Sequence, residues 1–398
     1  MTMIGTISER EKDAFFHTYK RLPIQIDRGE GVYLYDTSGR KYLDLFAGLA
    51  VNALGYGHPG VVAAIHKQSM RFTHLSNYFL ADSALALAEL LKKHTGYRRV
   101  FFTNSGTEAI EGSIKIARLW GSSRGKRQIV SFSNAFHGRT YGALSMMDRV
   151  KFKSGFEPFL DNFTILPYND PGALRAGVNE STLAVYLEFI QGEGGIVPAD
   201  EKFVATMADL QARLGFLVVA DEIQSGLGRT GRPFGFSHYG IRPDMAVVAK
   251  PLGGGLPLGA VLGGPEVENV LDIGQHGTTF GGNPVSCAAG IIVLKEIFEG
   301  GLMENAATTG EAFISALAGL QGRFPPLVRA VRGKGLMLGI ELTRPCDEIV
   351  AGMLRAGVLA NCTNGNVIRI VPPLLITPAQ VAEAVSVMRD VFAGHEMK

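Results

Sequence analysis

Short runs of wholly apolar residues, each ending in a polar one, constrain this chain most. Phe216-Leu217-Val218-Val219-Ala220 ends at Asp221, and Met245-Ala246-Val247-Val248-Ala249 ends at Lys250. Runs of five apolar residues rich in valine read as strands buried on both faces, as in a mostly parallel sheet covered by helices. Two such strands deliver an acid and an amine to one rim, and that rim is where open α/β sheets bind ligands.

More strands and helices alternate around these two. Val100–Thr103, Ile129–Phe132, Leu183–Glu188 and Gly259–Leu262 read as strands, and Ala84–Leu91 and Thr107–Trp120 as helices. Gly31–Leu45, broken by Asp36-Thr37-Ser38-Gly39, reads as a hairpin. Asn283–Phe298 and Glu311–Leu320 read as helices, and Val328–Thr343 with Val367–Val371 as strands of a C-terminal α/β unit. The expected division is an N-terminal segment 1–59, a large domain 60–300, and a small domain completed by 301–398.

Composition narrows the partners. The chain has 398 residues, 46% hydrophobic and 19% charged, enough for a large core and a second domain, and a net charge of +2 without a basic block argues against nucleic acid or an anionic membrane. Its 50 glycines follow no repeat, so they are expected in turns and close backbone approaches around a site. Residues 1–20 carry charges at Glu9, Arg10, Glu11, Lys12 and Asp13 and do not read as a signal peptide, and no apolar run is long enough for a membrane span. Cys287, Cys346 and Cys362 are far apart and lack Cys-x-x-Cys spacing, so neither disulfides nor a metal site is expected, in keeping with a reducing cytoplasm.

Asn104-Ser105-Gly106-Thr107-Glu108 follows a strand and opens a helix, so free N–H groups and about half a positive charge of helix dipole converge there. This segment suits a phosphate, although Ser105 or Thr107 with Glu108 also suits an ordinary N-cap. In Asp221-Glu222-Ile223-Gln224-Ser225-Gly226, alternation puts Asp221 and Ile223 on one side. A carboxylate about 4 Å from a pyridinium nitrogen gives roughly 4 kcal/mol at an effective dielectric of about 20, enough to keep that nitrogen protonated at neutral pH. An acid pair for a nucleotide-bound metal would need a Gly-x-x-x-x-Gly-Lys-Ser/Thr loop, which is absent. Gly226-Leu227-Gly228-Arg229-Thr230-Gly231 matches a dinucleotide fingerprint in letters, but Pro233, Gly235 and Gly240 forbid the helix that should follow. Lys250 precedes Pro251-Leu252-Gly253-Gly254-Gly255, a turn that leaves space at its amine. Burial and a cationic ring would lower its pKa and make it a nucleophile, then a proton carrier. A Schiff-base lysine and a carboxylate for a ring nitrogen are the groups that pyridoxal phosphate requires.

Asn104–Ala109, Phe136-His137-Gly138-Arg139-Thr140, Gln191-Gly192-Glu193-Gly194-Gly195, Asp221–Gly226, Lys250–Gly255 and Gly277-Thr278-Thr279-Phe280-Gly281-Gly282-Asn283-Pro284 occur together in order. With these motifs the chain resembles, over nearly its whole length, the class III ω-aminotransferases of pyridoxal-phosphate fold type I. Thr18–Pro23 and Ala47–Gly55 look most like the members acting on N-acetylornithine, which pass its terminal amine to 2-oxoglutarate in arginine synthesis. Ornithine, succinylornithine and 4-aminobutyrate are the alternative donors within the class.

The resemblance implies a role for each matched residue. Lys250 would be the Schiff-base lysine, Asp221 the ring-nitrogen partner and Gln224 the contact to the ring hydroxyl. Ser105, Gly106 and Thr107 would bind the phosphate, with Thr279 reaching it from a second subunit of a homodimer. Phe136 and Ile223 would cover the two ring faces, with Glu188 also at the cofactor. Arg139, helped by Tyr19 and Thr278, would hold the distal carboxylate of the donor, and Arg369 the α-carboxylate of glutamate or 2-oxoglutarate. Glu193 would pair with Arg369 as a switch that releases it for glutamate, with a permanent salt bridge as the alternative reading. His137 reads as a packed, hydrogen-bonded histidine, since Lys250 already serves as base. Ile110, Phe189 and Tyr56-Gly57-His58-Pro59 depart from the usual pattern, and the last of these leaves the acyl group of the donor open.

Overall fold

The computed structural model describes residues 3–396. At its centre lies a seven-stranded sheet in the order Arg99–Thr103, Gly259–Gly263, Met245–Val248, Leu217–Asp221, Thr182–Leu187, Gln128–Phe132, Phe163–Leu166. Only Gly259–Gly263 runs antiparallel to its neighbours. The carboxyl ends of the other six strands therefore share one edge.

Alternation along the strands explains why the apolar runs carry no polar face. Val130, Val185, Val218, Ala220, Ala246 and Val248 enter one core, while Ile129, Ala184, Tyr186, Leu217, Val219, Met245 and Val247 enter the other. Each fully buried valine or leucine contributes roughly 1.5–3 kcal/mol, so a register slip in these strands would be costly. Helix Gly106–Ser122 buries Ile110, Ile114, Ala117 and Trp120 against the second core. Helix Glu201–Leu214 buries Phe203, Met207 and Leu210 against the first, and ends at Gly215 with φ 62°. Helix Pro284–Phe298 packs on Pro59–Ser69 and Asp82–Thr95.

The two ends of the chain share a second sheet. Ile26–Glu30, Tyr33–Asp36 and Lys41–Asp44 form an antiparallel meander, and Val358–Leu359 adds in parallel beside Lys41–Asp44. A third sheet runs Val328–Lys334, Met337–Leu342, Val367–Ile370, Asn361–Thr363, antiparallel throughout. Between the sheets, Ile190–Gln191 and Val197–Pro198 pair and carry the loop with Glu193. The decoy glycine segment 226–231 leads into a short 3-10 turn, Gly235–His238, and offers no helix N-terminus.

One expectation is corrected. Cys346 and Cys362 form a disulfide, with Cα atoms 5.7 Å apart, and only Cys287 is free. Spacing along the chain says nothing about distance here, because the fold lays the strand Asn361–Thr363 alongside the start of helix Asp347–Arg355. No helix of the described residues is long and apolar enough to cross a membrane.

Candidate active site

Asp221 is buried at the end of its strand, where Oδ2 lies 2.8 Å from His137 Nδ1 and Oδ1 accepts the Ile223 N–H at 3.1 Å. A carboxylate has about four lone-pair sites, so these two bonds fix Asp221 and still leave acceptor capacity facing the cavity. Burial opposes a charge on His137, but the bond and the charge of Asp221, with Glu188, outweigh it and the imidazole titrates above its ordinary value. His137 Nε2 has no partner among the described residues, so the ring acts on Asp221 alone.

Lys250 follows the neighbouring strand in a conformation rarely taken by side-chain-bearing residues, with φ 41°. The 3-10 turn Lys250–Gly253 then closes at Gly254, φ 62°. Burial pushes the Lys250 amine below its ordinary range and Arg369 adds to this, while Asp221, Glu193 and Glu188 oppose it. The outcome is an amine nearer to its neutral, nucleophilic form.

The anion cradle is built on helix Gly106–Ser122. Ser105 is its N-cap and accepts the Glu108 N–H at 3.3 Å, so the N-cap reading holds and coincides with the cavity wall. The N–H groups of Gly106 and Thr107 have no acceptor within the helix. The Thr107 hydroxyl is met by the N–H groups of Arg139 and Thr140 at 3.2 and 3.3 Å and by the Thr140 hydroxyl at 3.0 Å. At Gly138, φ 132°, any side chain would be strained and its Cβ would overlap Thr107; a Cβ on Gly106 would come within 2.7 Å of Ile223. These glycines bring the loop to the helix end.

Glu188 supports the wall from behind, accepting the N–H groups of Phe136 and Gly192, each at 2.8 Å. Burial, and the charge of Asp221 next, push its carboxyl up to about 7. Together Ser105, Gly106, Thr107, Phe136, Arg139, Glu188, Asp221, Ile223, Gln224 and Lys250 surround a cavity of about 410 Å³. Leu256–Leu258, which no motif reading singled out, also line it. Only their position after the strand and turn could have suggested them.

Arg369, 1% exposed, donates Nη1 to Glu193 Oε1 at 2.5 Å and to Gln224 Oε1 at 3.2 Å, and Nε to Asn361 Oδ1 at 3.1 Å. Burial would raise the carboxyl of Glu193, but Arg369 outweighs it, helped by Lys250 and Arg149, and holds it below its ordinary range. Gln224, expected at a ring hydroxyl, thus links the cavity wall to Arg369. Arg139 is exposed at the rim with its guanidinium 4.2 Å from the Phe152 ring centre. Tyr19, Thr278 and Thr279 are not part of the cavity wall formed by this chain. Tyr19 and Thr279 are exposed, and the Thr278 hydroxyl accepts from Asn104 at 3.3 Å and from the Gly281 N–H at 3.1 Å.

A family model described as aminotransferase class-III matches residues 15–392. The chain belongs to the class-III aminotransferases. The acetylornithine aminotransferase of Caldanaerobacter subterraneus subsp. tengcongensis is 42% identical over 387 residues, 96% of this chain and 98% of that one. Among solved structures, an ornithine aminotransferase from Toxoplasma gondii ME49 superposes with a TM-score of 0.96 at 30% identity, covering 100% of this chain and 96% of that one. An acetylornithine aminotransferase from Elizabethkingia anophelis gives 0.89 at 31% identity, covering 99% and 100%.

The aminotransferase cofactor, pyridoxal phosphate, fits the residues present: an amine of lowered pKa, a fixed buried carboxylate, and a helix end kept open by glycine. Lys250 would hold its aldehyde, Asp221 its ring nitrogen, and Ser105, Gly106 and Thr107 its phosphate. When bound, it supplies a heterocycle that takes up the negative charge left as the substrate C–H bond breaks. Asp221 would keep a proton on the ring nitrogen, and Lys250 would carry the proton from the amine-bearing carbon.

The lowered pKa of Lys250 sets the pH dependence of cofactor capture. The reactive form is the neutral amine, which is lost as pH falls through the folded pKa. Capture of pyridoxal phosphate by the apoenzyme, followed by absorbance, is expected to level off below the ordinary lysine range. A rate that keeps rising about tenfold per pH unit up to that range would contradict the assigned environment.

Proposed function

We propose that this aminotransferase passes the terminal amine of N-acetylornithine to 2-oxoglutarate, giving N-acetylglutamate 5-semialdehyde and glutamate, a step of arginine synthesis in the cytoplasm. The observation that carries this reading is the buried Arg369–Glu193 pair beside Lys250. While the pair is closed, Arg369 is neutralised and the site suits a donor whose reacting carbon bears no carboxylate. When Glu193 swings away, the same guanidinium takes the α-carboxylate of 2-oxoglutarate.

This is an exchange of one carboxylate for another. Leaving a buried charge without a partner costs about 3–5 kcal/mol, whereas replacing its partner with a like group is close to neutral. The loop Gly192-Glu193-Gly194-Gly195 gives Glu193 freedom to move, and its side chain is still 24% exposed. Arg139, at the rim, takes the donor's distal carboxylate through paired hydrogen bonds.

We propose a homodimer in which Thr279 of one copy completes the phosphate cradle of the other, with Thr278 and Tyr19 placed toward the donor site. The support is a surface: Tyr78, Phe79, Leu80 and Phe280 are exposed, Asn77 ties their segments by donating to the carbonyls of Thr278 and Gly281, and the His74 and Phe280 rings lie 5.2 Å apart. An apolar patch of this kind marks an interface.

Single-turnover kinetics with N-acetylornithine, N-succinylornithine, ornithine and 4-aminobutyrate test the donor. N-acetylornithine is expected to give the highest kcat/KM; a preference for another donor would replace the substrate and leave the chemistry in place. Arg369→Lys should raise the KM for 2-oxoglutarate by about tenfold or more through loss of the paired geometry, with a smaller effect on N-acetylornithine. Equal effects on both half-reactions would contradict the exchange.

Sedimentation velocity tests the assembly. The wild-type chain is expected as a dimer, and Phe79→Glu with Leu80→Glu as a monomer that retains cofactor poorly. A fully loaded, active monomer would contradict a shared cradle.

A further inference from the structure

The strand Asn361–Thr363 is three residues long and lies at the edge of the third sheet, yet its side chains meet both members of the Arg369–Glu193 pair. Antiparallel register sets Asn361 opposite Arg369, Cys362 opposite Ile368 and Thr363 opposite Val367. Residues 361, 363 and 369 therefore share one face of the sheet, and Cys362 points to the other.

On the first face, Asn361 Oδ1 accepts from Arg369 Nε at 3.1 Å. The Thr363 hydroxyl donates to the Glu193 carbonyl at 2.9 Å and lies 3.3 Å from Glu193 Oε2. Arg149 Nη2 donates to the same carbonyl at 2.7 Å and to Asn364 Oδ1 at 3.4 Å. On the other face, Cys362 is bonded to Cys346, the residue that opens helix Asp347–Arg355.

We propose that Asn361 and Thr363 are positioning residues for the exchange at Arg369, and that the Cys346–Cys362 bond behind their strand makes the grip on the acceptor carboxylate sensitive to thiol reduction. The inference rests on the reading that Arg369 takes the acceptor carboxylate. The bond to Asn361 fixes the guanidinium at Nε, so its plane stays aimed when Glu193 leaves. Thr363 holds the Glu193 backbone while the carboxylate is free to depart. An edge strand of this length has a ladder on one side only and opens locally at little cost. Its attachment to a helix restrains that opening.

Cys362 is half-buried, within reach of a small thiol, and both sulfurs lie near the Gly365 carbonyl, at 3.6 Å from Cys346 and 3.3 Å from Cys362. Reduction by a small dithiol supplies two electrons and two protons: the S–S bond breaks, two thiols form, and the dithiol closes to its own disulfide. The freed thiols keep that carbonyl as an acceptor, so the hairpin persists while the tie to the helix is lost.

The test uses holoenzyme purified without reductant, before and after dithiothreitol, with thiols counted in denaturant. Two readouts are taken: the KM for 2-oxoglutarate, and the affinity for glutarate, a non-reacting dicarboxylate, by calorimetry. Reduction is expected to weaken both by about threefold to tenfold, with the donor half-reaction held within about twofold. Cys346→Ser with Cys362→Ser should match the reduced protein and ignore dithiothreitol. Asn361→Ala and Thr363→Val should each weaken glutarate by a similar factor, with Thr363→Ser close to wild type. Glutarate affinity that is equal in the oxidised, reduced and serine forms overturns the proposal, as does a count of three free thiols before reduction. Failure of the underlying reading is seen separately, as glutarate binding that Arg369→Lys leaves unchanged.

Discussion

A carboxylate that cannot move governs this site. Asp221 ends a strand buried on both faces and is clamped between the His137 ring and the Ile223 N–H, so its charge is held where water cannot screen it. His137 serves as the backstop of that charge. Asp221 also lies in the electrostatic surroundings of Lys250, where it opposes the loss of the lysine's charge without cancelling the effect of burial. One acid thereby tempers the Lys250 amine and would hold a ring proton on the bound cofactor.

The same rim balances a second set of charges. Glu188, Glu193 and Asp221 face Lys250, Arg369 and His137. Backbone N–H groups anchor the Glu188 carboxylate, whereas the Glu193 carboxylate is held by the side chains of Arg369 and Thr363 from a glycine-flanked loop. That difference in anchoring is what the proposed exchange requires, a fixed first acid and a mobile second one. The third sheet supplies Arg369 and its neighbour Asn361, so in the proposed reading the C-terminal part of the chain would hold the acceptor while the central sheet carries Asp221 and leads to Lys250.

Much of this was legible because it rests on local rules. Apolar runs ending in Asp221 and Lys250, the Ser105 cap and the Gly31–Leu45 hairpin each follow from periodicity and turn chemistry, and each stands where those rules place it. Phe163–Leu166 was passed over because it is an edge strand, half-buried and only four residues long. Asn361 carried no signal, since its meaning lies in a cross-strand register with Arg369. The Cys346–Cys362 bond was misread for a similar reason: proximity of residues sixteen apart belongs to the tertiary fold. Gln224 lines the cavity, and its amide oxygen also receives Arg369, whose buried position no spacing announces. Tyr19, Thr278 and Thr279 matched by motif, yet they lie outside the cavity wall formed by this chain.

The account stands on Lys250 carrying the cofactor aldehyde next to Asp221. Borohydride reduction of the loaded enzyme, followed by proteolysis and mass spectrometry, measures this directly. The expected result is a pyridoxyl group on the peptide containing Lys250 and on no other lysine, absent when the enzyme is first converted by an amino donor. A label on another lysine, or none, would contradict it.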